Sequence, residues 1–251
     1  MALELAAMEH GKTIVLAGAA GSQARLGRVL AAFKRSFYVA DADGRIACAG
    51  GPDLGAGPLN ILYAACPPIP AVGATWQFAL DTVPIWQPEP WPHLDAPACR
   101  RVAAAIPRER GLLAPAADDP FKAAAHAPLA ALAHWRRGPV PPILENLLGL
   151  GPGLTPAGDD ALGGAALALR AVGRTADADA LRAFLGMRMA TATSAISAAH
   201  LSAACDGAGA QALHTILAHI VQGRTPDLSP LDAIGHSSGY DALAGIVAVL
   251  A

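Results

Sequence analysis

The sequence predicts an α+β protein in which a β-rich N-terminal part packs on a larger α-helical C-terminal part. Strand-forming residues and turn signals dominate the beginning of the chain, whereas alanine-rich and leucine-rich runs at helical spacing dominate the remainder. We expect a β-rich domain over residues 1–95 and a helical domain over 96–251. At 251 residues, the chain is long enough for each part to bury a core.

The N-terminal strands are predicted from apolar runs that end at turn residues. Residues 36–51, SFYVADADGRIACAGG, have an aspartate-glycine turn between two runs of strand formers, which predicts a β-hairpin. Residues 61–66 and 74–86 are further strand candidates because aromatic and β-branched residues recur in them. Five prolines within residues 84–97 then predict an extended connector.

The C-terminal helices are predicted from their apolar spacing and from proline and glycine at their ends. Residues 118–135 form one candidate, with Pro128 as a potential break, and residues 141–151 form a short one that begins with proline and ends with glycine. The other candidate helices span 156–172, 177–190, 192–205, 209–222 and 238–250.

Composition and charge argue against several classes of protein. The formal net charge of −2 predicts binding neither to nucleic acid nor to an anionic membrane. No run reaches the length of about 18 apolar residues that a membrane span requires. The four cysteines are widely spaced, which argues against a disulfide framework, and Glu4 and Glu9 stand where a secretory signal would be basic. We therefore expect a cytoplasmic protein.

The stretch GLGPGLTPAGDDALGG, residues 149–164, is a glycine-rich loop that leads into a helix. Thr155 is a good N-cap, and Pro156 suits the first helical position. Gly151 and Gly153 permit positive φ and a close approach of another molecule to the main chain. Free N–H groups before a helix N-terminus favour an anion, whereas a purely structural helix start remains the alternative.

The adjacent carboxylates Asp159 and Asp160 complicate a phosphate site in this loop. A negative charge in the first helical turn is favourable, but a phosphate in the same space is repelled unless a cation or an arginine intervenes. Adjacent helical residues point about 100° apart, so we expect only one of the two aspartates to face the site.

Two further polar segments accompany the loop. GHSSGYDALAGI, residues 235–246, places His236 among glycines and serines ahead of a helix, with Ser237 or Ser238 as its N-cap and Asp241 in its first turn. His236 is a candidate acid, base or hydrogen-bond donor. In residues 193–207, Thr193 and Ser197 are predicted to share one helix face, which is typical of a ligand site or of plain surface.

Together and in this order, the three segments resemble the AllH-like family, described as a subunit of oxamate carbamoyltransferase. The resemblance is strong in the C-terminal half of the chain, and in the N-terminal half it extends only to the β-rich texture. It implies a role in purine and allantoin nitrogen catabolism, in a complex that converts oxalurate and phosphate to oxamate and carbamoyl phosphate. It also implies other carbamoyltransferase subunits as partners and a small anionic substrate, carbamoyl phosphate or phosphate.

The candidate site residues follow from the matched segments, and their roles are inferred from their chemistry. Asp159, Asp160 and His236 are the candidate catalytic residues. The candidate substrate-binding residues are Gly151, Gly153, Thr155, Thr193, Ser197, Ser237, Ser238 and Asp241.

Two other functions remain open from the sequence. The first is a stand-alone metal-dependent enzyme that acts on a small phosphorylated metabolite, with the aspartate pair holding magnesium. The second is a non-catalytic scaffold subunit whose polar segments only cap helices. No HExxH or comparable ligand spacing occurs, so zinc is not expected, and the identity of any metal stays undetermined.

Overall fold

The computed structural model describes residues 25–78, 86–116 and 119–251, and it confirms the α+β class. The chain divides into two compact units, with the division between Gln87 and Pro88. The first unit contains a five-stranded sheet and the second contains the helices. Residues 1–24, 79–85 and 117–118 lie outside the described residues, and they include part of the strand predicted over 74–86 and the first residue of the helix predicted over 118–135.

The sheet of the first unit has the strand order β4-β3-β2-β1-β5. Its pairs are antiparallel except for β3 and β4, which run parallel. The predicted hairpin is confirmed: Asp41 Oδ1 accepts hydrogen bonds from the N–H groups of Asp43 and Arg45, and Gly44 has a φ of 77°. The strands are β1 Arg25–Ala32, β2 Ser36–Asp41, β3 Ile46–Gly50, β4 Asn60–Leu62 and β5 Thr75–Phe78.

Most helices of the second unit lie close to the predicted ones, whereas the helix over residues 96–105 was not predicted. They are α1 Ala96–Ala105, α2 Pro120–His134, α3 Ala157–Ala171, α4 Thr175–Ala192, α5 Ala195–Cys205, α6 Gln211–Val221 and α7 Ser238–Leu250. Pro128 lies inside α2 without ending it, and the short helix predicted over 141–151 is a 3-10 helix, Pro142–Leu147. Within the described residues, no helix is both long and apolar enough to cross a membrane.

Helix α3 is the centre of the second unit, and it packs most extensively on α7. Glycines permit the backbones of these two helices to touch. A Cβ atom on Gly164 would lie 1.9 Å from the carbonyl oxygen of Ala242, and one on Gly245 would lie 1.8 Å from that of Ala161. The helices therefore cross within two turns of their first residues, which allows their N-termini to lie near each other.

Candidate functional site

The N-termini of α3 and α7 meet at the end of the glycine-rich loop. The hydroxyl oxygens of Thr155, before α3, and Ser238, the first residue of α7, are 3.1 Å apart and share a hydrogen bond. Each helix directs the positive end of its dipole to its N-terminus. Two such ends close together favour negative charge between them.

The predicted caps of these helices need correction. Thr155 is not the N-cap of α3: Pro156 occupies that position, with an extended ψ of 143°, so the helix begins at Ala157. The hydroxyl of Thr155 is thereby left to bond Ser238. Ser237 is the N-cap of α7, as one of the two predicted options had it, but its side chain makes no capping hydrogen bond.

The loop over residues 149–155 exposes unused backbone donors. Gly151 and Gly153 have φ angles of 113° and 98°, a region that favours glycine. Within the described part of the chain, no acceptor bonds the N–H groups of Gly151, Gly153, Leu154 or Thr155. A Cβ atom on Gly153 would meet no atom within 4 Å, so the space beside it is open. The loop has the donors and the room for an oxyanion.

Asp159 is buried, at 2% exposure, and its carboxylate binds three donors of the protein itself. Its Oδ1 accepts from the Gly149 N–H at 2.7 Å, and its Oδ2 accepts from the Ser197 hydroxyl at 2.6 Å and from the Thr193 hydroxyl. The carboxylate thus ties the start of the loop to the junction between α4 and α5. These contacts use both oxygens inside the protein.

Thr193 and Ser197 do not share one helix, contrary to the prediction. Helix α4 ends at Ala192 and α5 begins at Ala195, so Thr193 lies in the break between them. Ser194 causes the break, because its hydroxyl oxygen caps α5 by accepting from the Ser197 N–H at 3.0 Å. The hydroxyl of Ser194 also donates to the carbonyl oxygen of Leu154. Ser194 therefore holds the loop, a role that sequence reasoning missed.

Asp160 differs sharply from its neighbour. Its Oδ2 is buried and has no hydrogen-bond partner within the described residues. Burial raises the pKa of Asp160 well above its ordinary value, the hydroxyl of Ser238 opposes that rise, and the carboxylates of Asp241 and Asp159 add to it. Asp160 therefore keeps its proton to a higher pH than an exposed aspartate does.

Asp241 completes the group of carboxyls at this end of the helices. It is 2% exposed, and its Oδ1 accepts from the Leu112 N–H at 2.8 Å. Burial raises the pKa of Asp241, while the hydroxyl of Ser237, the Leu112 amide and the ammonium of Lys122 lower it. Lys122 and the segment around Leu112 were also missed, because nothing in their local sequence marks them.

His236 is exposed, two residues before the shared hydroxyl of Ser238. It makes no hydrogen bond within the described residues. The structure thus brings the three segments together through contacts of Asp159, Asp160 and Thr155, and His236 lies at the solvent side of the turn before α7.

The acidic side chains of the site do not form a recognisable set of metal ligands in the described residues. Within the described residues, no cluster of three or more His, Cys, Asp or Glu side chains has the arrangement of a metal site. Both oxygens of Asp159 accept hydrogen bonds from protein donors. Of the adjacent pair, only the carboxyl of Asp160 therefore has an oxygen that is free to bind a ligand.

Comparison with known proteins agrees with the resemblance seen in the sequence. Residues 147–250 match the model of the family described as oxamate carbamoyltransferase subunit AllH. The match spans all three polar segments and lies entirely within the helical unit. No curated protein and no solved structure matches the chain.

Proposed function

From the match over residues 147–250, we propose that this chain is a subunit of a carbamoyltransferase that interconverts oxalurate and phosphate with oxamate and carbamoyl phosphate. The observation that carries the proposal is the glycine-rich loop with unused N–H groups where the N-termini of α3 and α7 meet. The reaction would serve the breakdown of purine nitrogen through allantoin. Four free cysteines support a reducing compartment, the cytoplasm.

The loop would hold the phosphoryl or carboxylate end of the substrates. Gly151, Gly153 and Thr155 supply backbone donors, and Thr155 adds a hydroxyl. Lysine and arginine are absent from residues 139–169, so backbone dipoles must supply much of the attraction. Lys122, whose ammonium lowers the pKa of Asp241, would add a positive charge from α2.

The chemistry requires one proton to move between two atoms. A phosphate oxygen attacks the carbamoyl carbon of oxalurate, and the bond from that carbon to the oxamate nitrogen breaks. Hydrogen phosphate loses one proton and the leaving nitrogen gains one, so the step balances. Asp160 would give its proton to that nitrogen and recover one from phosphate, because its raised pKa favours the protonated form.

The remaining residues would bind and position the substrates. His236 would donate to the carbamoyl oxygen as negative charge develops on it. Ser237 and Ser238 would line the substrate site, where their hydroxyls bond the carboxyls of Asp241 and Asp160. Asp159 would act as a positioning residue, because its oxygens are bonded to Gly149 and to two hydroxyls of the protein. Thr193 and Ser197 would support Asp159 rather than touch the substrate.

The two alternative functions have less support. Magnesium is usually held by one or two carboxylates together with substrate phosphate. Both oxygens of Asp159 are already bonded by protein donors, and among the described residues Asp160 has the one buried carboxylate oxygen without a hydrogen-bond partner. A scaffold whose polar segments only cap helices does not account for that oxygen or for the unused donors of the loop, since Ser237 makes no side-chain cap.

The proposal predicts partner subunits and a specific product. The full chain, purified from its native cells with the proteins that accompany it, is incubated with oxamate and carbon-13-labelled carbamoyl phosphate, and labelled oxalurate is measured by mass spectrometry. We expect oxalurate from the complex and its loss when Asp160→Asn replaces the wild-type chain. Asp53→Asn, which removes only an exposed ion pair with Arg35, is the control. An active complex that is unaffected by Asp160→Asn, or a complex that makes no oxalurate, would contradict the proposal.

A further inference from the structure

Two side chains, Thr155 and Ser238, link the glycine-rich loop to the buried carboxyl of Asp160 on α3. Thr155 Oγ1 and Ser238 Oγ are 3.1 Å apart, and either atom can be the donor. The Ser238 hydroxyl in turn interacts with the carboxyl of Asp160, whose Oδ2 is buried without a hydrogen-bond partner in the described residues. The loop is therefore connected to an ionisable group through two hydroxyls.

The direction of this chain of hydrogen bonds depends on the proton of Asp160. A hydroxyl has one proton and donates one hydrogen bond. A protonated Asp160 donates to Ser238, Ser238 then donates to Thr155, and the Thr155 proton is free to point into the loop. An ionised Asp160 accepts from Ser238, which then accepts from Thr155, and the loop loses that donor.

We infer that the glycine-rich loop binds a small oxyanion together with one proton, and that Asp160, Ser238 and Thr155 couple the two. The inference rests on the proposed function and specifies its ligand as an oxyanion whose binding requires the neutral form of Asp160. In the proposed reaction, Asp160 gives this proton to the nitrogen that leaves as oxamate. Binding of the oxyanion would therefore ensure that Asp160 is protonated before the chemical step.

The charges around Asp160 favour this coupling. On α7 it faces Asp241, and on α3 itself it neighbours Asp159, so an ionised Asp160 would add a further negative charge beside the anion. Lys122 and Asp119, at the start of α2, act on Asp241 with opposite signs. On α5, burial lowers the pKa of His200 to about 4, so that imidazole stays neutral near pH 7. His236, two residues before Ser238 in the chain, lies at the exposed turn.

Isothermal calorimetry with sulfate tests the coupling, because sulfate keeps its charge near neutral pH. Titrations of the full chain in buffers with different ionisation enthalpies give the number of protons bound with each anion. We expect proton uptake that approaches about one per sulfate above the pKa of free Asp160, where affinity falls about tenfold per pH unit. Asp160→Asn, whose amide always donates to Ser238, should bind sulfate without proton uptake and with little dependence on pH.

Three outcomes would overturn the inference. Sulfate binding to the wild-type chain without proton uptake would leave the proposed function standing but remove the coupling. Uptake that persists in Asp160→Asn and disappears in His236→Gln would assign the proton to the imidazole instead. If neither sulfate nor oxamate binds at any pH, the anion site and the proposed function fail together. Ser238→Ala leaves the Thr155 proton free to point into the loop in both states of Asp160, so it should weaken the dependence of sulfate affinity on pH.

Discussion

Replacing Asp159 by asparagine should lower the free energy of unfolding by about 3 kcal/mol, because one carboxylate bonds three donors inside the protein. Asparagine keeps one oxygen and turns the other into an NH2 group. If the oxygen stays with the hydroxyls of Thr193 and Ser197, the NH2 group faces the Gly149 N–H, and two donors oppose each other. The flipped amide instead opposes the two hydroxyls.

The magnitude follows from the kind of contact that is lost. A hydrogen bond to a charged group contributes about 1.5–3 kcal/mol, and a buried donor left unpaired costs about 1–3 kcal/mol. Losing the charge and one partner therefore amounts to about 3 kcal/mol, which would lower Tm by about 6–12 °C in a chain of this size.

Urea unfolding, followed by circular dichroism, measures the effect, with the adjacent Asp160→Asn as the matched variant. Asp160 has an unpaired buried oxygen and like-charged neighbours, so its replacement should leave stability unchanged or raise it. If Asp159→Asn does not fold, Ser197→Ala removes one donor and should cost about 1 kcal/mol. Equal destabilisation by both aspartate variants, or none from Asp159→Asn, would refute the assignment of Asp159 as the internal tie.

Three other results are expected. The stability advantage of Asp160→Asn should grow as the pH rises above about 4, the ordinary pKa of an aspartate, because the raised pKa of Asp160 means that the folded state holds a proton that the unfolded state releases; a difference that stays constant in urea unfolding would contradict this. Gly153→Ala should lower the free energy of unfolding by about 1 kcal/mol, because the position has a positive φ. It should also reduce the rise of Tm in phosphate more than Thr155→Ala does, since its Cβ would enter the open space of the loop. Equal protection by phosphate in both variants would argue that the loop is only a turn. A thiol reagent should label the exposed Cys66 in the native protein while the three buried cysteines stay unreacted, which mass spectrometry of the labelled peptides checks, and labelling of all four at one rate would contradict the burial.

Local patterns predicted the elements that position the site. The Asp-Gly turn marked the hairpin, and the glycine loop before an apolar run marked the beginning of α3 within one residue. The prediction that only one of the two aspartates faces the site follows from the helical angle of about 100° between neighbours. In the structure the two aspartates differ, since Asp159 is bonded internally whereas Asp160 has a buried oxygen without a hydrogen-bond partner in the described residues; that one of them faces a ligand stays a prediction.

Tertiary contacts decided what the sequence left open. Which aspartate turns inward depends on the position of the Gly149 N–H and of the junction after α4, neither of which is local to the pair. Thr155 fits the N-cap pattern, yet Ser238 of a distant segment binds its hydroxyl. Ser194 showed no special signal beyond being a serine before an apolar run, although it both caps α5 and holds the loop.

The glycines of the polar segments have two different functions in the fold. Gly164 and Gly245 permit the close crossing of α3 and α7, where a Cβ atom would collide with a backbone carbonyl. Gly153 meets nothing within 4 Å and instead has a positive φ beside open space. A sequence pattern of glycines alone does not separate packing from ligand access, because both require the absence of a side chain.

Nuclear magnetic resonance of the nitrogen-15-labelled chain, titrated with phosphate, tests most directly whether the loop is an anion site. The account predicts that the backbone amide resonances of Gly151, Gly153 and Thr155 shift together and give one dissociation constant, because their N–H groups have no acceptor in the described protein. The Gly149 amide, bonded to Asp159, should shift least within the loop. Phosphate that leaves these three amides unmoved, or that shifts only amides remote from α3 and α7, would contradict the account.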